Sequence, residues 1–95
     1  MAAYRHIVVF QFYDAIDEES RMHAVERLRS LNDSPGVVEW RVEVSIDDRK
    51  GPVVVQNVLF DTQESYEKYR ATPEHADIAA ILSGLSNWLV ADYIE

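Results

Sequence analysis

Three histidines, five tyrosines and no cysteine bound the chemistry open to the side chains of this chain of 95 residues. Thiol chemistry is absent. What remains is proton transfer, with imidazole as acid or base and phenol as hydrogen-bond donor. His75 lies in the stretch TPEHADI, residues 72 to 78, where Thr72 is expected to cap a helix that carries Pro73 in its first position. That puts His75 third in the helix, beside unpaired backbone N–H groups and the positive end of the dipole. A second positive charge is disfavoured there. An imidazole with an ordinary pKa of about 6.5 is then expected to stay neutral at neutral pH and able to accept a proton. The alternative is a solvated histidine of the capping region with no chemistry.

His6 shares its strand parity with Val8 and Phe10, and Gln56 shares its own with Val58 and Phe60. Both polar groups could therefore face one otherwise apolar cavity, with the Tyr69 hydroxyl at its rim. Lined by Val8, Phe10, Val25, Leu28, Val58 and Val90, such a cavity suits a small, largely apolar ligand with a few polar atoms. Tyr69 and Gln56 also have plain readings, as a packing tyrosine and a satisfied polar group in a sheet. Trp40 and Trp88 are read as core or interface residues, and His23, on a charged helical stretch, as solvated.

The elements that must position these residues follow from periodicity. Tyr4 to Tyr13 is rich in β-branched and aromatic residues on both alternating faces and reads as a strand buried on two sides. Asp17 offers an N-cap for a helix from Glu18 to Leu31, with Met22, Val25, Leu28 and Leu31 at helical spacing. After NDSPG, the residues Trp40, Val42, Val44 and Ile46 alternate with polar ones in a second strand. DDRKG makes a turn, and Val53 to Phe60 is a third strand. A short helix around Tyr66 and Tyr69 stops before Pro73, and the next helix buries Ile78, Ala79, Ile81 and Leu82. Gly84 closes it, and residues 88 to 95 read as a fourth strand. The order β-α-β-β-α-β is the ferredoxin-like α+β pattern, in one domain over residues 1 to 95.

Helices cover only one face of such a sheet. Ile7, Val9, Val53, Val55 and Leu59 belong to the other face, where a sheet open to water would alternate apolar with polar. A second copy of the chain, packed sheet to sheet across a two-fold axis, is the expected cover. The net charge of -8, from 17 acidic and 9 basic side chains, repels phosphate-rich partners, so nucleic acid is not an expected ligand. Without cysteine, and with scattered histidines, no metal site is expected. Asp17, Glu18 and Glu19 serve a helix start, and Asp47 and Asp48 a turn. The apolar run IVVF near the start is too short for a signal-peptide core or a membrane span, which predicts a cytoplasmic protein with no membrane association.

The motifs RHIVVFQFYD, EKYRATPEHADI and LVADY, in this order, resemble the stress-responsive A/B barrel (Dabb) family of dimeric α/β barrels over nearly the whole chain. The resemblance implies a ferredoxin-like fold, a homodimer through the sheet face and no cofactor. Plant members that are polyketide cyclases use a strand histidine, a helix tyrosine and a second histidine, and these positions match His6, Tyr69 and His75. Thr72 stands where the family's HPxH motif often has its first histidine. The resemblance thus implies an enzyme acting on a polyketide-like compound, with His75 as base, Tyr69 orienting a carbonyl oxygen and His6 holding the substrate. Competing readings are a non-catalytic stress-response dimer that binds a small molecule, and a cofactor-independent monooxygenase-like protein.

Overall fold

Nine consecutive residues, Tyr4–Phe12, form the central strand β1 of the computed structural model, which describes residues 2 to 95. Alternate side chains His6, Val8, Phe10 and Phe12 are buried on one face. Strands β2 (Val37–Val44), β3 (Val53–Phe60), β4 (Ser86–Val90) and β5 (Tyr93–Ile94) complete an antiparallel sheet in the order β2-β3-β1-β4, with β5 also paired to β1. The register sets His6 opposite Val58, Val8 between Gln56 and Val90, and Phe10 between Val54 and Trp88. All of these share one face. Gly36, at φ +87°, makes the turn into β2, and its carbonyl accepts from Asp61 N–H at 2.8 Å.

Three helices cover that face. Helix α1 (Glu18–Arg29) starts at Asp17, whose Oδ1 accepts from Ser20 N–H at 2.7 Å, and carries Glu18 and Glu19 in its first turn and Arg27 and Arg29 in its last. Helix α2 (Gln63–Arg70) is capped by Thr62, and α3 (Pro73–Ser83) by Thr72, whose Oγ1 accepts from His75 N–H at 3.2 Å. The short break at Ala71 and Thr72 sets Tyr69, near the end of α2, close to His75 in the first turn of α3. Val25, Leu28, Ile78 and Leu82 pack on Val8 and Phe10 in one cluster, while Tyr66 and Tyr69 pack on Val58 and Phe60 in a second. Each fully buried Val, Leu or Phe contributes roughly 1.5–3 kcal/mol.

Four expectations are corrected. Helix α1 ends at Arg29, and Leu31 follows in a turn, its N–H donating to Leu28 O at 3.2 Å. The inward stripe of β2 stops short, since Val44 is exposed and Ile46 lies beyond the strand, fully in solvent. The last strand begins at Ser86 and is interrupted at Ala91 and Asp92, because the Asp92 carboxylate, in place of a ladder carbonyl, accepts the Ile7 N–H at 3.2 Å. Leu59 is already buried within one chain and depends on no partner.

On the face without helices, Val9 pairs with Val55 and Leu89, and Gln11 with Val53. Leu89 is 72% exposed and Val9 38%. Beside this apolar patch Arg5 donates to Glu95 at 3.1 and 2.9 Å, to Glu39 at 3.1 Å and to Asn57 at 3.0 Å. No helix among the described residues is long and apolar enough to cross a membrane.

Candidate active site

A cavity of about 820 Å³ opens between the helix-covered face of the sheet and helices α2 and α3. Its character changes along β1. Tyr4 and His6 line one end with Tyr66 and Tyr69, while Val8 and Phe10 line the other with Ile78 and Leu82. The volume lies in the range that holds a small organic ligand.

The polar end is built around His6. Its Nδ1 lies 2.8 Å from Asp92 Oδ1, and Asp92 Oδ2 accepts from the Tyr4 hydroxyl at 2.8 Å. An ionised carboxylate only accepts, so Nδ1 carries the proton and Nε2 of the neutral ring is left bare. No partner among the described residues reaches Nε2, and none of their buried side-chain nitrogens or oxygens is left unpaired, so Nε2 opens on the cavity. The ring is held between Tyr66, with centroids 4.8 Å apart, and Tyr69, at 6.5 Å. Tyr66 itself stacks on Tyr4 at 4.5 Å. Burial pushes the His6 pKa below the usual imidazole value, outweighing the opposite pull of Asp92. The ring is therefore neutral at pH 7, with a carboxylate ready to stabilise its cation.

Tyr69 and His75 meet edge to face, with centroids 5.0 Å apart. Burial lowers the His75 pKa, and the charge of Arg70 lowers it further, as would a proton on His6. Burial raises the Tyr69 pKa, so its hydroxyl stays protonated; Gln56 Nε2 approaches it at 3.5 Å, a contact at the limit of a hydrogen bond. Tyr4 is pushed up to about 12 by burial and by Asp92. The site thus offers two neutral imidazoles and protonated phenols in one cavity. That is a set for moving a proton and for donating to a developing oxyanion.

His6, Tyr69, His75, Gln56, Val8, Phe10, Leu28 and Val90 all line the cavity. Val25 and Val58 do not. Val25 is sealed on the inner side of α1 beside Ala24, and Val58 is covered by the tyrosine cluster. Of the lining residues that the sequence did not place in the site, Tyr4, Tyr66, Arg70 and Asp92 bear on its polar end. Two had a signal in strand parity, Tyr4 through His6 and Asp92 through Val90, and Tyr66 had one in its three-residue spacing from Tyr69. Trp88, expected in the core or an interface, is a half-exposed cavity wall, 6.3 Å from Phe10. Trp40 lies against Tyr69 and donates from Nε1 to Leu28 O at 3.1 Å. Among the described residues, no group of three or more histidines, aspartates or glutamates is placed to hold a metal ion.

Solved structures share this architecture. A dimeric ferredoxin-like protein of unknown function from Thermobifida fusca superposes with a TM-score of 0.88 at 14% identity, covering 99% of this chain and 92% of that one. The hydroxynitrile lyase of Passiflora edulis gives 0.84 at 17% identity, covering 98% and 93%. SnoaB, a cofactor-independent oxygenase from Streptomyces nogalater, gives 0.78 at 16% identity, covering 98% and 92%. At these identities the likeness is one of fold. No curated protein matches the sequence. The family model of the Stress responsive A/B Barrel Domain (Dabb) matches residues 4 to 95, nearly the full chain, and the protein belongs to that family.

Proposed function

We propose that this chain is a homodimeric, cofactor-free proton-transfer enzyme that enolises a small, largely apolar carbonyl compound of polyketide type. The observation that carries the reading is the His6–Asp92 pair, Nδ1 to Oδ1 at 2.8 Å, in a cavity that Tyr69 and His75 also line. Nε2 takes a proton from the carbon next to a carbonyl. The C–H electron pair becomes the new C=C bond, and the carbonyl π pair moves onto oxygen. The Tyr69 O–H donates to that oxygen. Attack of the enolate carbon on a second carbonyl of the same chain closes a ring, and the imidazolium returns its proton to the alkoxide.

We assign the base role to His6 rather than to His75. Arg70 opposes a cation at both rings, but Asp92 stabilises an imidazolium at His6, whereas no carboxylate pairs with His75 among the described residues. His75 then orients the substrate by hydrogen bonding beside Tyr69. The dimer is supported by the shared apolar face of Val9, Val55 and Leu89, and by the description of the Thermobifida fusca protein of the same fold as dimeric.

The test is hydrogen–deuterium exchange at C2 of a medium-chain 3-oxo N-acetylcysteamine thioester, followed by NMR. A general base contributes roughly 10²–10⁴-fold, so His6→Gln should lose at least about 100-fold, while His75→Ala, which removes one orienting hydrogen bond, should lose no more than about tenfold. Equal rates for native protein and His6→Gln would remove the base role. No acceleration by native protein would leave small-molecule binding without chemistry. The likeness to a cofactor-independent oxygenase adds no residue argument for oxygen chemistry.

A further inference from the structure

Arg70 is the one cation among the residues lining the cavity, whose only other charged residues are Glu67 and Asp92. Asp92 is fully engaged by Tyr4, His6 and the Ile7 N–H, and Glu67 accepts from Gln63 at 3.4 Å. Among the described residues no ion pair joins Arg70 to a carboxylate; Arg21, Arg27 and Lys50 also lack one, but of these four only Arg70 lines the cavity. Arg70 is exposed, its guanidinium lies near the Tyr66 hydroxyl, and it brings a positive charge to the edge of a cavity on a chain of net charge -8. Arg70 closes α2 next to Tyr69, so it stands at the polar end, where α3 begins. From His75 to Leu82, α3 rises about 10 Å along the cavity toward the apolar end.

We infer that Arg70 seats an anionic head group, so that the cavity selects amphipathic anions: a carboxylate or phosphate at Arg70, with an apolar tail toward Phe10, Ile78 and Leu82. A guanidinium fork binds either head through two parallel N–H donors. The inference rests on reading this cavity as the reaction site, and it narrows the substrate class. It also couples binding to chemistry. The Arg70 charge holds down the basicity of His6 and His75, and an anion on the guanidinium offsets that field. A substrate that places its head correctly thereby strengthens the base that attacks it.

Calorimetric titration of the native protein with decanoate, decyl phosphate, decanol and decylamine, each below its micellar concentration, tests this. The net charge alone favours the ammonium head, so a preference for anions has to come from a local cation. Decanoate or decyl phosphate should bind about tenfold tighter than decanol. Whichever anion binds tighter identifies the head. Arg70→Gln should abolish that advantage and leave decanol unchanged, and Arg70→Lys should restore part of it. Decylamine binding as tightly as the anions, an advantage that survives Arg70→Gln, or no binding of any of the four would overturn the inference. His6→Gln should keep the preference for anions. Lost exchange with intact preference in that variant concerns catalysis, whereas intact exchange without preference in native protein counts against Arg70 alone.

Discussion

Replacing Asp92 by asparagine separates the charge behind His6 from the hydrogen bonds around it. Oδ1 accepts from His6 at 2.8 Å and from Ile7 N–H at 3.2 Å, and Oδ2 accepts from Tyr4 at 2.8 Å. An asparagine carbonyl takes over the first two bonds. Its amide faces the Tyr4 hydroxyl, which turns to accept. The geometry survives and the charge is lost. Hydrogen bonds to charged groups exceed neutral ones by about 1 kcal/mol, so three bonds limit the stability loss to about 3 kcal/mol, against roughly 5–15 kcal/mol for a domain. In the reaction, what matters is the imidazolium. Giving it a neutral acceptor forfeits about 1.4 kcal/mol, or about tenfold in exchange rate. Asp92→Ala is the harsher control, because it leaves the buried His6 Nδ1–H and the Ile7 N–H without partners at about 1–3 kcal/mol each. Urea melts and C2 exchange rates on the same samples separate the two effects. An Asp92→Asn protein that keeps the native exchange rate would refute the claim that the carboxylate stabilises the protonated base.

The other predictions concern Tyr69, pH and assembly. Tyr69→Phe loses only a contact of 3.5 Å, so the unfolding free energy from urea melts should fall by less than about 1 kcal/mol, while loss of an oxyanion donor should slow exchange about 100-fold. His6 and His75 have folded pKa values below 6.5, so below that pH the unfolded chain binds protons that the folded chain does not. Stability should be greatest above about pH 6.5 and fall as acidification proceeds toward the folded values. Urea midpoints between pH 7.5 and 5 should show the fall, less steeply for His6→Gln; a rise would contradict the assignment. Val9→Lys combined with Leu89→Lys should convert a sedimentation-equilibrium dimer into a monomer at micromolar concentration. An unchanged mass would place the interface elsewhere.

Strand parity and helix caps carried most of the architecture. Asp17 and Thr72 act as the caps their residue types suggest, and Pro73 divides the second helical arm where its ring disfavours a helical Thr72. Parity also brought His6, Val8, Phe10 and Gln56 to one face, since one slip in register would have turned all of them outward. It failed where covering mattered more than direction. Val58 faces the right way but lies under Tyr66 and Tyr69, and Val44 faces the right way but lies under nothing. Asp92 was hidden by the apolar run before it, which reads as one continuous strand. Its own residue type was the clue, because aspartate is disfavoured in strands unless its carboxylate finds donors. The three donors come from Tyr4, His6 and Ile7, more than eighty positions away, and local periodicity does not reveal them.

The account stands on a neutral His6 whose Nδ1–H is held by Asp92 and whose Nε2 faces the cavity. ¹⁵N-detected NMR of the imidazole ring between pH 8 and 4 reports tautomer and charge together. The account predicts a protonated Nδ1 and a bare Nε2 at pH 7, with the cation forming only below the ordinary imidazole range. A ring already charged at pH 7, or one protonated on Nε2 instead, would contradict it.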